Sequence, residues 1–67
     1  MANNRLRKYA VKYGEQIVAY FDNRGEAVAA VDLYEEIDRD AGVFAPDMYE
    51  IMVRVENKPT GFVYITI

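Results

Sequence analysis

Only one stretch of this chain repeats its apolar residues at helical spacing, and the segments on either side of it alternate or turn. From Ala27 the positions Ala27, Ala30, Val31, Leu33, Tyr34, Ile37 and Ala41 recur at intervals of three and four. At about 100° per residue they sweep about 160° of a helix surface. The stretch is bracketed by stop and start signals. Asn23, followed three residues later by Glu26, has the form of a capping box, in which an N-cap side chain accepts from a free backbone N–H of the first turn. Gly42 stands where a helix exits through a left-handed residue, and Pro46 prevents it from resuming. The spacing predicts one helix over residues 24–41, with that apolar face laid on the rest of the protein.

The flanking segments have the period of strands. Eight Val, five Ile, six Tyr and three Phe against two Leu give the apolar inventory of a sheet. A first strand is expected over residues 6–13 and a second over 16–21. Gly14-Glu15 joins them as a type II′ turn, which takes Gly at its first central position. That turn alone sets Tyr13 opposite Gln16, Val11 opposite Val18 and Tyr9 opposite Tyr20, with Lys8, Ala10, Lys12, Ile17, Ala19 and Phe21 on the other face. The two lysines favour burial of the Tyr and Val face. After the helix, Tyr49, Ile51, Val53 and Val55 alternate with Glu50, Met52, Arg54 and Glu56. A return strand over 62–67 then aligns Val55 with Val63, Val53 with Ile65 and Ile51 with Ile67. The order ββαββ implies an α+β domain: a four-stranded, mainly antiparallel sheet with one helix packed on one face, in a single domain over residues 1–67.

Composition narrows the chemistry. Sixty-seven residues without Cys, His or Ser, and with their two Thr in the last eight positions, provide neither a Ser–His–Asp nor a Cys–His set, so an enzyme is not expected. The same gaps remove the commonest metal ligands. Taken as the first position of a calcium loop, Asp38 finds Tyr49 where the twelfth-position Glu belongs, and the four glycines form no phosphate-cradling motif. No metal, cofactor or catalytic residue is expected. The first eight residues hold no apolar run of signal-peptide length, and no apolar run reaches the roughly 20 residues that span a bilayer. No membrane association and a cytoplasmic location are the resulting expectations.

The net charge of −3 is segregated along the chain. Residues 1–12 carry Arg5, Arg7, Lys8 and Lys12 and no acid, whereas residues 22–50 carry nine acids and only Arg24 and Arg39. On the helix Asp32, Glu36 and Asp40 follow one another at i, i+4 and i+8 as a row of like charge, with Glu35 and Asp38 beside it. Like pairs at this spacing cost about 0.2 to 0.5 kcal/mol each, and Asp38 and Asp40 occupy the helix end where the dipole favours cations. Locally unfavourable residues tend to mark function. Asp32, Glu35, Glu36, Asp38 and Asp40 are therefore the candidate partner-binding residues. A solvated face of a soluble protein accounts for the same acids. The secondary candidate is the open sheet face bearing Met52, Arg54, Phe62 and Tyr64, where exposed aromatics could anchor a protein or stack bases. Cover by the N-terminal segment or by a second copy would also explain it, since one helix leaves the other face of four strands bare.

In size, acidity and lack of catalytic residues the chain resembles the small phage-encoded inhibitors of host defence, anti-CRISPR and other DNA-mimicking proteins among them. The resemblance is one of type, aligns no segment and transfers no site residue. It implies a binding protein that blocks a basic, nucleic-acid-binding surface of a larger partner. Two rivals remain: a nucleic-acid-binding module built from Arg5, Arg7, Lys8, Lys12 and the sheet aromatics, which the net negative charge disfavours, and a structural homo-oligomer such as a homodimer.

Overall fold

A computed structural model describes residues 7–57 and 61–67; Arg5, Leu6 and the connection Lys58-Pro59-Thr60 lie outside the described residues. The chain forms β1 (Tyr9–Tyr13), β2 (Gln16–Phe21), α1 (Arg24–Asp40), β3 (Tyr49–Asn57) and β4 (Gly61–Thr66). The four strands make one open antiparallel sheet in the order β2-β1-β3-β4, so the fold is α+β with the element order ββαββ.

Both helix ends follow from local chemistry. The Asn23 side chain accepts from the Glu26 N–H at 2.8 Å. At the other end Gly42 has φ +76°, its N–H donates to Arg39 O at 3.1 Å, and the Val43 N–H donates to Asp38 O at 2.9 Å. These two bonds are the Schellman pattern, and they turn Val43 back over the last helical turn. The Gly14 turn also forms as its sequence implies. Gly14 takes φ +60° and Glu15 does not take a positive φ, as a type II′ turn requires.

The register of β1 against β2 departs from the one the turn alone predicts. Tyr13 pairs with Gln16 and Lys12 with Ile17, but Val11 then faces Ala19, Ala10 faces Tyr20 and Tyr9 faces Phe21. Val18 is a bulge. One extra residue on β2 shifts everything beyond it by one, which reverses the faces of Ala19, Tyr20 and Phe21. The shift moves Ala19 and Phe21 onto the face that α1 covers and sends Tyr20 to the open face. It thereby removes the conflict of an apolar Phe21 sharing a face with Lys8 and Lys12. The second hairpin keeps its expected register, with Val53 opposite Ile65, Val55 opposite Val63 and the Ile67 N–H donating to Ile51 O at 3.0 Å.

The helix lies on the face of Tyr13, Val11, Tyr9, Tyr49 and Ile51 and contacts β1, β2 and β3. Its buried line is narrower than the apolar arc in the sequence. Ala27 is fully buried, and Ala30, Val31, Tyr34 and Asp38 are half-buried. Leu33 and Ile37, expected to pack on the sheet, are 54% and 53% exposed, and Ala41 is exposed too. The helix rolls so that Tyr34 and Asp38 both reach Tyr49 on β3, and a cylinder on a sheet cannot press a 160° arc against it. The fully buried residues are Ala10, Val11 and Ala27 alone among the described residues.

β3 and β4 also outrun the rest of the sheet. The β1 pairing with β3 begins at Tyr9 and Val53, and among the described residues the last bond in that direction is Arg54 N–H to Lys8 O. Past it, Val55 to Asn57 and Gly61 to Val63 continue as a two-stranded arm with no other strand beside it among the described residues. A charge at Val11 has no solvent and no partner, so Val11→Asp should abolish cooperative unfolding. Leu33→Gln should change the unfolding free energy by less than about 0.5 kcal/mol. Urea titrations of the two variants check this; equal losses would return Leu33 to the core.

Candidate functional site

The five candidate acids are divided by the helix itself. Measured around the axis from Asp38, which points at the sheet, Asp32, Glu36 and Asp40 lie about 120°, 160° and 200° away, on the side facing water. All three are exposed, and no cation among the described residues is within ion-pair distance of them. Glu35 and Asp38 belong to a different surface. Glu35 is half-buried and pairs with Arg39 at 3.9 Å, and the Arg39 guanidinium in turn lies 4.4 Å from the centre of the Phe44 ring. Asp38 is half-buried, and its Oδ2 accepts the Tyr49 hydroxyl at 2.8 Å.

That hydrogen bond ties the helix to β3, one of the two inner strands. Burial of the phenol, reinforced by the adjacent Asp38 carboxylate, pushes Tyr49 up to about 12 from the ordinary 10.0. Tyr49 also touches Tyr13 edge-on at 4.8 Å and Tyr34 at 5.6 Å, joining β1, β3 and α1 through three rings. This cluster was not apparent as a unit in the sequence. Its one signal is Asp38, a charged residue four positions after Tyr34 on the stripe that faces the sheet.

The second candidate surface is folded over on itself. Met52, Arg54, Phe62 and Tyr64 share the face opposite the helix, with Arg54 beside Tyr64 across the strands, and all four are half-buried. Phe62 meets Tyr64 edge-on at 5.8 Å, and Arg54 lies 5.4 Å from the Phe62 ring centre. Tyr64 also reaches Tyr20 of β2 at 5.9 Å, although β1 and β3 stand between the two edge strands. Ala10, paired across the strands with Tyr20, is fully buried on this helix-free face. The Tyr64 hydroxyl donates to the Arg7 backbone carbonyl, and burial raises its pKa while Arg54 pulls it down. The aromatics are thus engaged with one another across the open face.

Of the basic residues proposed for nucleic acid, Arg5 lies outside the described residues, Arg7 pairs with Asp22 at 3.8 Å and Lys12 with Glu50 at 3.3 Å. Among the described residues no group of three or more acidic side chains is placed to hold a metal ion, and no helix is long and apolar enough to cross a membrane. Comparisons with protein-family models, curated proteins and solved structures match nothing, which leaves the side chains as the guide to function.

The tyrosine bond has a pH signature. Tyr49 holds its proton more tightly folded than unfolded, so its contribution to stability is complete below pH 10 and is lost as the pH rises from about 10 to about 12. A variant that lacks only the phenol hydroxyl isolates the Tyr49 contribution from that of the rest of the chain. The expected result is therefore a difference: melting temperature should fall more steeply over that window for the parent than for Tyr49→Phe. Parallel curves would show that Tyr49 titrates normally.

Proposed function

We propose that this chain is a non-enzymatic protein-binding module, an inhibitor whose water-facing helix row of Asp32, Glu36 and Asp40 docks on a basic, nucleic-acid-binding surface of a larger protein. The observation that supports this reading is the division of the acids. Those that face the sheet are engaged, Glu35 with Arg39 and Asp38 with Tyr49, while the three that face water form one uncompensated row. The row repeats at about 6 Å along the axis, close to the spacing of successive backbone phosphates, and like-charge repulsion along it costs stability with no internal return. Binding to a cationic partner relieves that repulsion and releases counterions, so association is fast at low salt. The resemblance in type to DNA-mimicking inhibitors points the same way.

Replacing Asp32, Glu36 and Asp40 together by Gln should leave the protein as stable as the parent or slightly more so, because the repulsion goes. Immobilised parent should retain basic proteins from a cell lysate, with recovery falling as salt rises; the triple variant should retain none of them. Identical capture by the two would place the acids among ordinary solvated residues.

One observation favours a second reading, the structural homo-oligomer. On the helix side of the sheet Val55, Val63, Ile65 and Ile67 are uncovered by α1, and Ile67 is 56% exposed. Residues 61–67 hold no charged side chain to discourage contact between copies. If the strip mediates self-association, sedimentation should show a concentration-dependent dimer that Ile65→Lys abolishes; a parent that stays monomeric at about 100 μM, a concentration that populates even weak dimers, excludes it.

A further inference from the structure

A cavity of about 480 Å³ opens between the C-terminal half of α1 and the hairpin of β1 and β2. Its wall is the ring series Tyr13, Tyr49 and Tyr34, with Tyr49 in contact with both others. Asp38 and the neutral Gln16 amide also line it, and the exposed Val18 and Val43 form its lips. Each lip is set by a specific backbone device. The β2 bulge releases Val18 from strand pairing, and the Schellman turn at Gly42 brings Val43 back towards Asp38. Both valines are at least half exposed.

The electrostatics of the cavity have one sign. The Asp38 carboxylate has no cationic partner among the described residues; Oδ2 takes the Tyr49 hydroxyl, and Oδ1 remains as an acceptor. The nearest cation in sequence, Arg39, is turned to Glu35 and Phe44. The cavity lies at the helix C-terminus, where the backbone dipole also favours positive charge. Aromatic faces attract cations through their quadrupoles, most strongly when the cation leaves water. One carboxylate cannot hold a metal ion, but a carboxylate, three tyrosine rings and two aliphatic lips suit an organic cation, and the volume lies within the usual range for small-ligand sites.

We propose that this cavity binds an alkylammonium group, its nitrogen donating to Asp38 Oδ1 beside the tyrosine rings and its aliphatic stem lying between Val18 and Val43. The same chemistry is offered by a lysine side chain of another protein and by a free small amine. The site does not depend on the acidic helix row, which lies on the far side of α1, so the triple Gln variant retains it and the two readings fail separately.

The test is a titration followed by amide and aromatic NMR shifts with three probes of matched stem: n-pentylammonium chloride, Nα-acetyl-lysine methylamide and neutral 1-pentanol. Saturable shifts at Tyr13, Tyr34, Tyr49, Val18 and Val43 are expected with the ammonium compounds, and binding of pentanol should be weaker by about tenfold or more. Tighter binding of the lysine derivative identifies a protein side chain as the source, and tighter binding of pentylammonium identifies a free amine. Asp38→Asn keeps an acceptor for Tyr49 while removing the charge; it should melt as the parent does and bind pentylammonium about tenfold more weakly. Equal binding of pentanol and pentylammonium, unchanged affinity in Asp38→Asn, or no saturable shift with any ammonium probe overturns the proposal.

Discussion

One helix cannot cover two faces of a four-stranded sheet, and the arrangement of this protein follows from how that shortage is met. The helix covers one face of β1, β2 and the start of β3, and there Val11 and Ala27 find full burial. On the other face Tyr20 and Tyr64 reach inward from the two edge strands and meet, and Ala10 beside Tyr20 is fully buried. Tyrosine suits this task because its ring excludes water while its hydroxyl finds either solvent or an acceptor. Among the described residues the result is a core of three fully buried residues supplemented by half-buried rings, as expected of so short a chain.

The parts of this structure that were legible in the sequence are those decided by neighbours along the chain. Asn23 caps because its own side chain reaches Glu26 N–H, Gly42 ends the helix because it alone takes the left-handed turn there, and the alternation from Tyr49 to Glu56 fixes both faces of β3. The parts that were not legible depend on contacts between distant segments. Nothing local distinguishes Val18 from Ile17 or Ala19 as the bulge; the choice is made by which of Tyr20 and Phe21 the two sheet faces can accommodate. Leu33 and Ile37 fit the helical repeat as well as Tyr34 does, and only the position of Tyr49 on β3 decides how the helix is rolled.

The same distinction runs through the candidate site. Charge spacing picked out Asp32, Glu35, Glu36, Asp38 and Asp40 together, because periodicity records where a residue lies around a helix but not what the helix rests on. Once Asp38 faces the sheet, geometry alone separates the three outward acids from the two inward ones. The open sheet face shows the complementary error. Phe62 and Tyr64 read as exposed when strands are considered in pairs, whereas twist and side-chain length let residues from opposite edges of the sheet meet.

The strand order places β1 at the centre of the sheet, paired on one side with its hairpin partner β2 and on the other with β3, some forty residues away in sequence. Each hairpin can close locally within microseconds, but neither buries enough to persist alone, and the helix has no sheet to lie on until the two are joined. Bringing Val11 alongside Ile51 closes a loop whose entropic cost is about 3 kcal/mol. The β1–β3 pairing thus joins the first and last thirds of the chain. If that pairing is the slow step, substitutions along the β1 and β3 seam should mainly slow folding and substitutions of the half-buried edge tyrosines should mainly speed unfolding, a partition that folding and unfolding rates of such variants would test.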